Sequence, residues 1–257
     1  MKKIFLLATM IFLSYDLYAI NSFLVAPTSA EIKLNRPTTL SFVVTNNGDS
    51  RIRISVSPIF FPVGSKFMPP LKQISSEDKN YDDISKYMVV SPKVVSLNSG
   101  EQRTVRVSVR PPSGLKDGEY RAHVLFAMLD IASSVTSKKK GEGFSMKLDF
   151  KSETAVVVYG SVGSGSPSLD AVCSISNKKT KVTVKNNGLW RFDGWLTIYD
   201  DKDGDKKIVE EKIFMTRQTA KDVLLNWSPA KEQKEIKINW IPLDEKQKRI
   251  TTTCKLT

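Results

Sequence analysis

Apolar and polar residues alternate with a period of two along most of this chain, in short runs broken by turn residues. Side chains of a strand point to opposite faces in turn, so each run predicts a strand with one greasy and one wet face. Leu40, Phe42 and Val44 alternate before Thr45-Asn46-Asn47-Gly48, and Ile52, Ile54 and Val56 follow. Val105, Val107 and Val109 then alternate with Arg106, Ser108 and Arg110 until Pro111-Pro112-Ser113-Gly114, and Tyr120 to Leu129 makes the next run. No long amphipathic helix interrupts them. Many short strands at this spacing predict an all-β sandwich or barrel.

Small residues break the pattern at Tyr159-Gly160-Ser161-Val162-Gly163-Ser164-Gly165-Ser166-Pro167, the best domain boundary in the chain. After it the cycle restarts. Val182 and Val184 precede Asn186-Asn187-Gly188, echoing the earlier Asn46-Asn47-Gly48. Trp195, Thr197 and Tyr199 alternate before an acidic turn, Asp200 to Asp205. Leu224, Leu225 and Trp227, then Ile236, Ile238 and Trp240, and finally Ile250 to Leu256 mark three more strands. Lys116-Asp117-Gly118-Glu119-Tyr120 resembles the tyrosine corner of immunoglobulin-like sandwiches, in which a phenol bonds back to the backbone. The expected fold is therefore two immunoglobulin-like β-sandwich domains, residues 20–160 and 161–257, of roughly 140 and 90 residues, each able to bury its own core. Residues 1–19 read as a signal peptide. Lys2 and Lys3 lead an apolar run, Ile4 to Ser14, too short to span a bilayer, and Leu17-Tyr18-Ala19 offers a cleavage site.

One run stands apart. Phe144, Met146, Leu148 and Phe150 alternate strictly with Ser145, Lys147, Asp149 and Lys151, after a basic, glycine-containing loop from Ser137 to Gly143. Taken alone it reads either as an ordinary inward-facing sandwich strand or as a strand that another protein completes. Such an edge is an aggregation hazard. Either Lys138, Lys139, Lys140, Lys147 and Lys151 discourage self-pairing, or the free protein caps itself as a homodimer.

Composition narrows the function. The net charge of +12 falls to about +11 once the signal is removed, a dispersed excess without recognition helix, zinc-finger spacing or aromatic-basic motif, so nucleic acid is not an expected partner. No later segment is long and apolar enough for membrane insertion. The single histidine, His123, excludes a histidine-rich metal site, and no nucleophile elbow, phosphate loop or dinucleotide fingerprint accompanies it. No enzyme, metal or cofactor is expected. The acidic turn at Asp200–Asp205 lacks the glutamate and flanking helices of an EF-hand. In an exported chain the two cysteines, Cys173 and Cys254, are expected to form a structural disulfide joining the first and last strands of the second domain.

Signal, two immunoglobulin-like halves and an alternating strand before the linker together resemble the periplasmic chaperones of pilus assembly by the chaperone–usher route. The segments that carry the resemblance are Leu40 to Asn47, Tyr87 to Pro92, Leu97 to Arg106 and Asp117 to Phe126, with Phe144–Phe150 where the family places its donor strand. It covers essentially the mature chain. It implies a boomerang of two sandwiches in the periplasm. It also implies that Phe144, Met146, Leu148 and Phe150 fill the open groove of pilin-like subunits until an outer-membrane usher exchanges them. The family anchors the subunit's terminal carboxylate with an Arg in the first strand and a Lys late in the donor strand. Here Ser29 stands in the first place, and residues 152–159 contain no lysine. Lys33, Arg121 and Lys151 are the candidate substitutes. The rival expectation is a secreted two-domain adhesin or structural surface module.

Overall fold

A computed structural model describes residues 22–61, 82–129, 151–176, 179–199, 206–230, 233–245 and 247–256. Among the described residues sixteen strands follow one another: β1 Phe23–Ala26, β2 Ser29–Lys33, β3 Thr38–Asn46, β4 Ile52–Ile59, β5 Met88–Ser91, β6 Val94–Leu97, β7 Gln102–Val109 and β8 Gly118–Met128. Then come β9 Glu153–Val162, β10 Leu169–Ser176, β11 Lys179–Asn186, β12 Phe192–Tyr199, β13 Lys207–Met215, β14 Thr219–Leu225, β15 Glu235–Pro242 and β16 Ile250–Lys255.

These strands stack as two sandwiches. In the first, the sheet β1-β3-β7-β5 faces the sheet β2-β9-β8-β4-β6. In the second, β10-β11-β14 faces β13-β12-β15-β16. Each encloses a continuous apolar core: Phe42, Val44, Ile52, Ile54, Val105, Val107 and Phe126 are sealed in one, and Val182, Val184, Leu196, Ile236, Ile238 and Trp240 in the other. Burying such side chains supplies the main driving force for each sandwich. The tyrosine corner is present, with the Tyr120 hydroxyl donating to the Lys116 carbonyl at 2.8 Å.

The Asn-Asn-Gly echo has a common physical cause. Asn46 is fully buried, donates through Nδ2 to the carbonyls of Ser50, Leu97 and Asn98, and accepts from the Gly48 amide. Asn186 repeats the device, donating to Trp190 and Thr216 and accepting from Gly188 and Ser168. A buried amide that satisfies both ends of its dipole fixes the loop where one sheet hands over to the other. Cys173 on β10 and Cys254 on β16 are disulfide-bonded, tying the first and last strands of the second sandwich. The sequence runs at Trp195, Thr197 and Tyr199 do mark a strand, β12, but its core face is Phe192, Leu196 and Ile198. The acidic turn at Asp200–Asp205 and residues 1–19 lie outside the described residues.

Candidate binding cleft between the sandwiches

The strand β9 leaves part of one edge open. It pairs antiparallel with β8 along its length, from Glu153 opposite Ala127 to Val162 opposite Gly118. On its other side the parallel strand β2 covers only Val157 to Ser161. From Glu153 to Val156 that edge has no partner strand among the described residues. Phe144, Met146, Leu148 and Phe150, directly upstream of this open edge in sequence, lie outside the described residues.

Register places polar residues in rows across the outer face of this sheet. Ser29, Val157 and His123 form one row, Glu31, Tyr159 and Arg121 the next, and Lys33, Ser161 and Glu119 the third. Alternation sends the intervening Ile32, Val156, Val158, Ala122 and Val124 into the core. Arg121 is buried. Its Nε donates to the Asp82 carboxylate at 3.0 Å, and its guanidinium lies 4.8 Å from the Phe60 ring. Lys33 is exposed and donates to the Ser161 hydroxyl at 3.0 Å. Lys151 is exposed and pairs with Glu153 at 3.2 Å. It precedes Tyr159 by eight residues in sequence, about 27 Å along an extended chain. The structure thus brings Arg121 and Lys33 onto one face, two strands apart, and keeps Lys151 away from them.

His123 sits beside Arg121 under the Phe61 ring, centroids 4.9 Å apart. Its Nδ1 is buried without a hydrogen-bond partner among the described residues. Burial, reinforced by the Arg121 charge, pulls its pKa down to about 4, so the ring is neutral.

The second sandwich closes the cleft with residues that sequence reasoning missed. Asp82, Glu119, Tyr120, Arg121 and Tyr159 line one side and Arg191, Thr216 and Arg217 the other. Arg191 bonds to the carboxylates of Glu119 and Glu31 and stacks 4.2 Å over Tyr159. Burial pushes the Glu119 carboxyl up, and the Arg191 amide and guanidinium hold it back. Arg217 donates to the Glu119 carbonyl at 3.0 Å and lies 5.2 Å from the Tyr120 ring, without a carboxylate partner among the described residues. Gly118, at φ +142°, sits under the second sandwich. A Cβ there would meet the Leu189 side chain and Arg217 at 3.2 Å. Arg191 and Arg217 carry no local motif; only the docking of two sandwiches makes them neighbours of Glu119.

Solved structures resemble this architecture over nearly the whole chain. The YadV chaperone matches with a TM-score of 0.51 at 10% identity, covering 91% of this chain and 99% of that one. It shares the fold of that chaperone. A chain from the chaperone–tip adhesin complex of CFA/I fimbriae biogenesis matches with a TM-score of 0.50 at 16% identity, covering 91% of this chain and 98% of its own. No family model and no curated protein matches the sequence. The expected two-domain, immunoglobulin-like, all-β fold is therefore present. The sequence segments quoted for the resemblance fall on β3, β5, β6, β7 and β8 of this fold. Among the described residues no helix is long and apolar enough to cross a membrane.

Proposed function

We propose that the protein is a periplasmic chaperone of pilus assembly that lends a strand to incomplete pilin-like subunits before an outer-membrane usher takes them. Residues 1–19 serve as the export signal, and residues 20–160 and 161–257 as the two domains. The observation that carries this reading is the open edge of β9 from Glu153 to Val156, continued upstream by the alternating run to Phe144. An unpaired edge presents backbone N–H and C=O groups that a partner strand satisfies, while alternate side chains enter its groove. Chaperone–pilin complementation is an established case of this recognition mode. Burying Phe144, Met146, Leu148 and Phe150 is worth on the order of 6–12 kcal/mol gross. Ordering the segment and losing free rotation offset much of it. No catalytic group is required.

Arg121 is the best supported of the three anchor candidates for the subunit's terminal carboxylate. Its pairing with Asp82 holds it rigidly at the cleft, and Arg217 adds a second guanidinium across from it. Lys33 stands farther out on the same face, and Lys151 belongs to the donor segment. Replacing Met146 and Leu148 together with Asp in cells that co-express a pilin-like subunit tests the reading. Subunit recovery is expected to fall at least tenfold, since two buried carboxylates remove most of the groove energy. Unchanged recovery would refute strand lending.

A further inference from the structure

The sequence contains two Asn-Gly pairs, Asn47-Gly48 and Asn187-Gly188, each at the turn that follows a buried asparagine of its sandwich. Asparagine before glycine is the pair most prone to deamidation, because glycine has no side chain to hinder its own nitrogen. In that reaction the glycine amide loses its proton to water and its nitrogen attacks the asparagine Cγ. The new N–Cγ bond closes a succinimide ring as the Cγ–Nδ2 bond breaks and ammonia leaves. Water then opens the ring to aspartate, or to isoaspartate, whose backbone is longer by a methylene. Asn47 and Asn187 are both exposed, so water reaches them.

The fold withholds the nucleophile. The Gly48 amide is buried and donates to Asn46 Oδ1 at 2.9 Å, and the Gly188 amide donates to Asn186 Oδ1 at 3.0 Å. A nitrogen whose proton sits on a sheltered acceptor neither sheds that proton readily nor turns towards the neighbouring side chain, since the hydrogen bond must be given up first. Each acceptor is itself locked, Asn46 by the carbonyls of Ser50, Leu97 and Asn98, and Asn186 by those of Trp190 and Thr216. The backbone before each glycine is pinned as well. The Asn47 amide donates to the Ser22 carbonyl at 3.0 Å and the Asn187 amide to the Ser168 carbonyl at 2.8 Å. In the second sandwich the electrophile is also restrained, with Asn187 Nδ2 donating to the Asp170 carboxylate at 2.6 Å. Reaction therefore needs a local opening, and its rate is scaled down by the fraction of time the turn is open.

We propose that Asn47 and Asn187 are latent modification sites, held closed by Asn46 and Asn186 and converted to aspartate and isoaspartate when their sandwich opens. Each turn then records the unfolding history of its own domain. The test incubates the mature, full-length protein in mildly alkaline buffer, either folded or in urea with the disulfide intact. Each site is read by peptide mapping and by enzymatic methylation of isoaspartate. Both sites should convert more slowly in the folded chain, by about tenfold or more. Asn46→Ala should speed conversion at Asn47 and leave Asn187 unchanged, and Asn186→Ala should do the reverse. Hydrogen exchange of the wild type, which needs no variant to fold, should show the Gly48 and Gly188 amides protected. Folded rates equal to those in urea, or unprotected glycine amides, would overturn the inference. So would a folded Asn46→Ala protein in which Asn47 converts as slowly as in the wild type.

Discussion

His123 shows how one residue sets a measurable property of the cleft. It is neutral in the fold because burial beneath Phe61 and the neighbouring Arg121 disfavour its charge. A histidine whose pKa is depressed on folding contributes stability that is present above its unfolded value, near 6.5, and lost as pH falls towards about 4. The wild type should lose up to about 3 kcal/mol of stability across that window, measured by urea unfolding. His123→Gln should flatten the profile there, and an unchanged slope would contradict the burial. The sequence does make His123 and Arg121 neighbours on one strand face, because alternation is local. The burial of the ring is different, since Phe61, two residues beyond the Ile59 that pairs with His123, meets it across a strand pairing that no local pattern encodes.

Among the elements, strands with clean alternation were legible, and those packed by less regular residues were not. The runs at Leu40–Val44, Ile52–Val56, Val105–Val109 and Ile236–Trp240 all became strands with those residues inward. The strand β13, with sequence KIVEEKIFM, is not legible because only Ile213 and Met215 are sealed, Val209 is half-buried against the core and the rest faces solvent. On β12, Trp195 and Tyr199 dominate the pattern by size, yet the smaller Leu196 and Ile198 fill the core. The pairing of Cys173 with Cys254 was readable from number and compartment, since two cysteines allow one bridge. It joins β10 to β16 across 81 residues. Its removal by Cys173→Ala with Cys254→Ala should destabilise the second sandwich by about 4 kcal/mol. Calorimetry should show that transition alone moving, while the transition of the first sandwich stays in place. A shift of both would mean that the sandwiches unfold as one unit.

At the scale of the whole molecule, the two sandwiches are held by Arg191, which bridges Glu31 of β2 and Glu119 of β8 while covering Tyr159 of β9. Removing one partner of a half-buried ion pair leaves the other charge uncompensated. Arg191→Ala should cost on the order of 2–4 kcal/mol at pH 7. The sign with pH follows from Glu119, whose carboxyl burial already pushes upward. A raised carboxyl contributes stability that is lost as pH rises through its folded value, so the deficit of the variant should shrink on acidification. A deficit that grows as pH falls would contradict this assignment. None of that contact was legible in the sequence, which orders strands within a sandwich but says nothing of which loops meet between two.

The strand-lending account puts its weight on residues 144–156, and hydrogen–deuterium exchange of the mature protein, free and with a co-purified pilin-like subunit, reads them most directly. An edge open in the free chain and completed by a subunit should exchange fast alone. It should then become protected by at least a hundredfold on capture, about 3 kcal/mol of local stabilisation, with Phe144 to Val156 showing the largest change. Equal exchange in the two states, or strong protection already present in the free monomer, would contradict the account.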